Sequence, residues 1–170
     1  MNVLALSGSL RAASINTAFC RAAARLAPPP MKIALFDGLG ELPLFNADLE
    51  ADLPPHVVAL RSAVSSADAL LVASPEYAHG VSGVMKNALD WLVGADDFAG
   101  KPVALVNSAP RAHHAHESLR EILRTMSASL VAEACLTVPL LGACGTECGM
   151  LASPELAAEI RRALAALTRS

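Results

Sequence analysis

Residues 2–26, NVLALSGSLRAASINTAFCRAAARL, pass from a strand through a turn into a helix. The run 2–7 is short and apolar, the pattern of a strand buried on both faces of a sheet, and Gly8 closes it. Ser14 opens a stretch of helical periodicity that holds to Leu26, where Pro28, Pro29 and Pro30 stop it. A second apolar run follows at 31–36, so the opening third of the chain reads as one βαβ unit.

The same alternation continues outward. Helical patterns at 56–66, 81–93, 114–127 and 154–168 separate apolar runs at 69–73, 102–107 and 131–138. Between the second strand and second helix lies a long connection, 37–55, rich in Gly, Pro, Asn and Asp; connections of that length are often functional. Five strands alternating with five helices, joined by right-handed crossovers, predict an α/β fold: an open, doubly wound parallel sheet with helices on both faces. Neither an internal repeat nor a linker interrupts the pattern, so a single domain over 1–170 is expected. In such sheets ligands bind beyond the carboxyl ends of the strands, which directs attention to the loops beginning at Ser7, Ser74 and Asn107.

Composition removes several classes of function. The 170 residues are 54% hydrophobic and 17% charged, enough for a large core and unlike a disordered chain. A formal net charge of −3 provides no broad basic surface for nucleic acid, and 4% aromatic residues provide no stacking platform for single strands. No apolar run reaches the roughly 18–20 residues of a membrane span. The short apolar stretch 3–6 has no basic region ahead of it, as a secretory signal requires. A cytoplasmic protein is therefore expected, with Cys20, Cys135, Cys144 and Cys148 as reduced thiols.

The first loop sets Ser9, Arg11, Ser14, Asn16 and Thr17 between a strand end and a helix N-terminus. Free N–H groups and the positive end of the helix dipole favour an anion there, and Arg11 can add a charge-assisted bond. Ser14 has two readings, a helix cap or a phosphate ligand. Neither G-x-x-x-x-G-K-[ST] nor G-x-G-x-x-G is present, which argues against a nucleotide-hydrolysing loop and against dinucleotide binding across this turn. Strand one also ends without the acidic pair of a Mg²⁺-holding receiver domain. In the second loop, 74–83, the sole tyrosine, Tyr77, sits among Gly80 and Gly83, which permit close backbone approach to a flat ligand.

Taken together, GSLRAASIN (8–16), SPEYAHGVSGVMKNALDW (74–91) and LPLFNADL (42–49) resemble the NADPH-dependent FMN reductase family of flavodoxin-like proteins. That family includes flavin reductases, quinone reductases and enzymes named for chromate or azo-dye reduction. The likeness covers nearly the whole chain. It implies a flavodoxin-like five-stranded sheet in the order 2-1-3-4-5, bound FMN, and NADPH or NADH as co-substrate. It further implies a small electron acceptor such as a flavin or quinone, and a homodimer or homotetramer.

Carried over by position, Ser9, Arg11, Ser14, Asn16 and Thr17 match residues that hold the FMN phosphate. Pro75, Glu76 and Tyr77 match the loop whose backbone lies along the isoalloxazine ring. Ile15, Ala78, His79, Gly80 and Ser108 complete the set that the resemblance assigns to the cofactor. Lys86, Asn87, Asp90 and Trp91 match a helix that is more structural and often lies at a dimer interface. Ala78 stands where relatives often have Asn, Ser82 where they have Pro, and the third loop, 107–111, lacks their glycine-rich stretch. The cofactor performs the hard chemistry in this family, so no catalytic side chain is assigned. Two alternatives stand beside the reductase: a flavodoxin-type carrier or flavin-binding sensor without NADPH turnover, and a flavin-free interaction protein on the same fold.

His113, His114 and His116 fall at i, i+1 and i+3, a spacing that does not converge on a tetrahedral metal, so no metal site is expected. They read as a solvated helix start or a cofactor-edge loop. His79 reads as a contact to FMN or to substrate. Cys144 and Cys148 are four apart, which is weak grounds for a disulfide in a reducing compartment.

Overall fold

A computed structural model of the chain describes residues 1–109, 113–140 and 142–169. In chain order the elements are β1 (Asn2–Ser7), α1 (Ile15–Leu26), β2 (Lys32–Leu35), α2 (Pro55–Ser65), β3 (Ala69–Ala73), β4 (Glu76–Tyr77), β5 (Gly80–Val81), α3 (Gly83–Leu92), β6 (Pro102–Asn107), α4 (His113–Thr125), β7 (Ser129–Leu130), β8 (Leu136–Thr137), α5 (Glu147–Ala152) and α6 (Pro154–Leu167). The main sheet is parallel and runs β2-β1-β3-β6-β7, with β8 beside the end of β6. This is the expected flavodoxin-like order, 2-1-3-4-5, with the fifth position split in two.

Alternation along each central strand builds two cores. Val3 and Ala5 of β1, Leu71 and Ala73 of β3, and Ala104 and Val106 of β6 pack with α1, α5 and α6 on one face. Leu4, Leu6, Leu70, Val72, Val103 and Leu105 pack with α2, α3 and α4 on the other. Both faces of the sheet are therefore covered, which is why β1 and β3 are apolar nearly throughout rather than at every second position. Helix α1 follows from its spacing: Asn16, Phe19, Cys20, Ala23 and Leu26 form the inward face, and Ser14 caps the first turn by accepting from the Thr17 N–H at 3.1 Å. Burial pushes the Cys20 thiol up to about 12, leaving it unreactive, and all four cysteines are free thiols.

Three expectations are corrected. The strand expected at 131–138 holds only β8, paired with Val106 and Asn107, while β7 pairs with Pro102 and Val103 just ahead of that range. Between them Ala132–Ala134 forms a tight 3₁₀ turn with Glu133 in solvent. There the Leu105 N–H donates to the Cys135 sulfur at 3.4 Å, so a side chain serves where a backbone acceptor would have stood. The helix expected from 81 begins at Gly83, because Gly80 and Val81 pair with Glu76 and Tyr77 as an antiparallel hairpin. Ser82 caps α3 by accepting from the Met85 N–H at 3.2 Å, so the residue that replaces the family's proline starts the helix in another way. Finally, α5 is a short helix capped by Thr146, in a stretch where the alternating pattern predicts no element.

The long connection 37–55 is fastened down rather than free. The Asn87 side chain donates to the Pro43 carbonyl at 3.0 Å and accepts from the Phe45 N–H at 2.8 Å, while Trp91 Nε1 donates to the same Pro43 carbonyl at 2.8 Å. Among the described residues, no helix is long and apolar enough to cross a membrane.

Candidate functional site

β1 lies between β2 and β3, so the chain leaves the sheet in opposite directions after β1 and β3 and a crevice opens at their carboxyl ends. Gly8 sits at its floor. Its N–H donates to the Ala73 carbonyl at 2.9 Å, extending the β1–β3 ladder by one bond. A Cβ there would lie 2.6 Å from Ser74 Oγ and 2.7 Å from Ser82 Oγ, so only glycine lets the first and second loops approach this closely.

The first loop arrives as an unneutralised helix N-terminus. The first turn of α1 contains no acidic side chain. The Thr17 N–H is taken by Ser14 and the Ala18 N–H by the Ser14 carbonyl, which leaves the N–H groups of Ile15 and Asn16 open. Thr17 Oγ1 is 2.8 Å from Ser7 Oγ, tying the helix start to the strand end. Ser9, Arg11 and Thr17 line one cavity of about 230 Å³ beside the loop, together with Arg21. Neither arginine has an ion pair among the described residues. Arg21 and Ser7 are additions to the sequence reading; the signal for Arg21 was its place one turn beyond Thr17 on α1.

The third loop joins the first through a bond that spans 92 positions: Ser108 Oγ donates to Asn16 Oδ1 at 2.9 Å, both residues being buried. Asn107 closes its own turn by accepting from the Ala109 N–H at 3.0 Å. Pro110 and Arg111, the rest of that loop in the sequence reading, lie outside the described residues.

The second loop is the β4–β5 hairpin. Ala78 and His79 form its two-residue turn with φ of 50° and 59°, both in the left-handed region. Such a turn favours Asn-Gly, and a residue with a Cβ is strained there. Neither Gly80 nor Gly83 has a positive φ or a crowded Cβ position, so the left-handed backbone falls on the two residues between the strands instead. Replacing Ala78 with Asn, the residue relatives often carry, is expected to raise stability by about 0.5–1 kcal/mol in urea denaturation. Unchanged stability would mean that the hairpin relaxes its strain elsewhere.

Pro75, Glu76 and Tyr77 lead into that turn. Glu76 Oε2 accepts from the Ala115 N–H at 2.8 Å, so this carboxylate caps α4 and binds the hairpin to it. Tyr77 is 59% exposed at the crevice edge. The imidazole of His79 stacks on that of His114, centroids 4.3 Å apart, and His114 lies 4.0 Å from His113. His116 turns inward to a small cavity with Ser74, Glu76 and Asn107. The described residues contain no cluster of three or more His, Cys, Asp or Glu able to hold a metal.

Burial pushes the His116 pKa below its ordinary 6.5; Arg120 adds to the shift and Glu117 opposes it. The unfolded chain therefore takes up this proton first. The His116 contribution to stability is complete above 6.5 and is lost as pH falls from there through the lowered folded value. Thermal melting should show this acid-side loss in the native sequence and less of it in His116→Gln.

Comparisons with known proteins agree with the fold. A family model described as NADPH-dependent FMN reductase matches residues 1–140. The NAD(P)H-dependent FMN reductase PA1204 of Pseudomonas aeruginosa is 44% identical over 112 residues, 64% of this chain and 60% of that protein. The quinone reductase of Escherichia coli is 35% identical over 113 residues, again 64% of this chain and 60% of the relative. The chain thus spans about 60% of the length of these curated relatives. Among solved structures, FerB, a flavoenzyme NAD(P)H:(acceptor) oxidoreductase from Paracoccus denitrificans, superposes with a TM-score of 0.78 at 26% identity, covering 99% of this chain and 97% of its own. With the order of its sheet, the open helix start after β1 and the family match over residues 1–140, the chain belongs to the NADPH-dependent FMN reductase family.

Proposed function

We propose that this chain is one domain over 1–170 that binds FMN and acts as an NAD(P)H-dependent oxidoreductase on a flavin, quinone or similar small acceptor. The observation that carries the reading is the start of α1, where two open N–H groups, Arg11 and a first turn without acid converge at the switch point. A phosphate monoester fits that donor set: it supplies the negative charge that the helix dipole lacks there. When bound, FMN supplies two-electron transfer between reduced nicotinamide and the acceptor.

The residues of the chain have simpler tasks. The backbone of Ile15 and Asn16, the hydroxyls of Ser9, Ser14 and Thr17, and Arg11 hold the phosphate. Ser108 orients Asn16. Pro75, Glu76, Tyr77, Ala78, His79 and Gly80 present backbone along the ring, and Glu76 keeps that hairpin on α4. Protons come from solvent, so no side chain is assigned as acid or base.

The test is a visible absorbance titration of the purified protein with FMN, followed by anaerobic NADPH and then NADH. A bound flavin that bleaches supports the reductase; one that stays yellow with both nucleotides points to a carrier or sensor. Failure to bind FMN withdraws the reading and leaves the flavin-free interaction protein.

The reading extends to assembly and location. A homodimer through the 42–49 segment is supported by its exposed apolar side chains, Leu44 at 83%, Phe45 at 39% and Leu49 at 38%. Leu44→Glu should shift the protein toward monomer in sedimentation velocity; an unchanged distribution would place any dimer contact elsewhere. A cytoplasmic location agrees with four free thiols.

A further inference from the structure

We infer that His79 and His114 form a recognition platform for the electron acceptor, one that favours flat acceptors carrying an ionised oxygen over neutral acceptors of the same shape. The inference rests on the oxidoreductase reading and adds to it a substrate class and two residues that select it. His79 occupies a left-handed turn position, φ 59°, yet its ring is stacked on His114 at 4.3 Å with 29° between planes. His113 backs His114 at 4.0 Å. The hairpin and helix that bring these rings together are joined independently by Glu76 and the Ala115 N–H.

The rings stand exposed at the carboxyl end of the sheet, on the flank of the crevice between the loops after β3 and β6. An imidazole presents at least one N–H donor in either protonation state, so its ring edge can bond an anionic oxygen throughout the neutral range. Tyr77, 59% exposed and two positions before His79, offers a flat aromatic surface in the same hairpin. The charged side chains nearby in sequence are Glu76, already committed to α4, Glu117 and Arg120 further along α4, and Arg111, which lies outside the described residues. An acceptor with one ionised oxygen thus meets donors at the hairpin flank, and a neutral acceptor gains only the stacking.

The experiment compares 2-hydroxy-1,4-naphthoquinone, whose hydroxyl is ionised at neutral pH, with 1,4-naphthoquinone. Binding of each to the FMN-loaded protein is measured by calorimetry without nicotinamide, and KM for each is measured with NADPH. Expected is a preference of about tenfold or more for the ionised quinone, the effect of a hydrogen bond to a charged group. His79→Phe and His114→Phe keep a stacking ring and remove the donor, and each should reduce the ratio toward one. Circular dichroism and melting of both variants separate loss of the donor from misfolding. Equal binding of the two quinones by the native sequence overturns the inference, as does a ratio that survives in both histidine variants. If the protein fails to oxidise NADPH or NADH, the oxidoreductase reading fails, while the calorimetric ratio still decides this one. If FMN is not retained, calorimetry on the purified chain decides it in the same way.

Discussion

Arg11→Ala is expected to weaken FMN binding roughly ten- to a hundredfold, corresponding to about 1.5–3 kcal/mol for a hydrogen bond to a charged group. The guanidinium is exposed, has no ion pair among the described residues, and lines the cavity beside the α1 start with Ser9 and Thr17. Nothing in the protein needs it in place, so its removal should cost binding and leave folding nearly untouched. Lys86 is the control. It lies on α3 with its ammonium on Asp90 one turn away, committed to a surface pair worth little on its own. Lys86→Ala should change FMN affinity by less than about twofold, since a screened distant charge acts weakly. The Arg11 effect should also shrink as salt is raised. Quenching of FMN fluorescence on titration reads all three; equal losses in the two variants would remove the phosphate from the first loop.

The largest effect on stability is expected from Trp91→Ala, about 3–5 kcal/mol by the usual cost of emptying a large buried ring site. Trp91 is fully buried among the residues of the α2–α3–α4 core. Phe45 meets its ring edge-on at 5.0 Å, and its indole N–H holds the Pro43 carbonyl. Removing the ring opens a cavity and also frees one of the two donors that fasten the 42–49 segment. Trp91→Phe separates these contributions, because it keeps most of the packing and loses only the donor, at a cost of about 1 kcal/mol. Urea midpoints for the two variants measure the difference. Equal losses would mean that the Pro43 bond, and not the packing, holds the segment. A loss of 3–5 kcal/mol is a large share of the roughly 5–15 kcal/mol that keeps a domain folded, so Trp91→Ala should be studied at low temperature.

The loop proposed to hold the phosphate was legible because its signal is local. A strand end, a helix cap and unopposed N–H groups all fall within residues 7–17, and the structure keeps Ser14 as the cap while leaving the N–H groups of Ile15 and Asn16 open. Ser14 therefore fills the structural one of its two readings in this structure. Its hydroxyl can still donate to a ligand, since only its acceptor side is engaged. The hairpin was less legible. Its sequence contains two glycines, yet the strained backbone falls on Ala78 and His79, because a two-residue turn is positioned by the pairing of Tyr77 with Gly80 rather than by where glycine occurs.

The sequence by itself determined the alternation of strands and helices and the loops that converge at one end of the sheet. Those follow from periodicity and from short-range capping, properties of neighbours a few residues apart. Only the tertiary structure decided that Asn16 meets Ser108, that His79 stacks on His114, that Asn87 and Trp91 hold Pro43, and that the fifth strand breaks around Cys135. Each of these joins residues at least 30 positions apart in the chain. Such contacts exist only after the sheet has ordered its strands, and no local pattern encodes which distant partner will complete a bond.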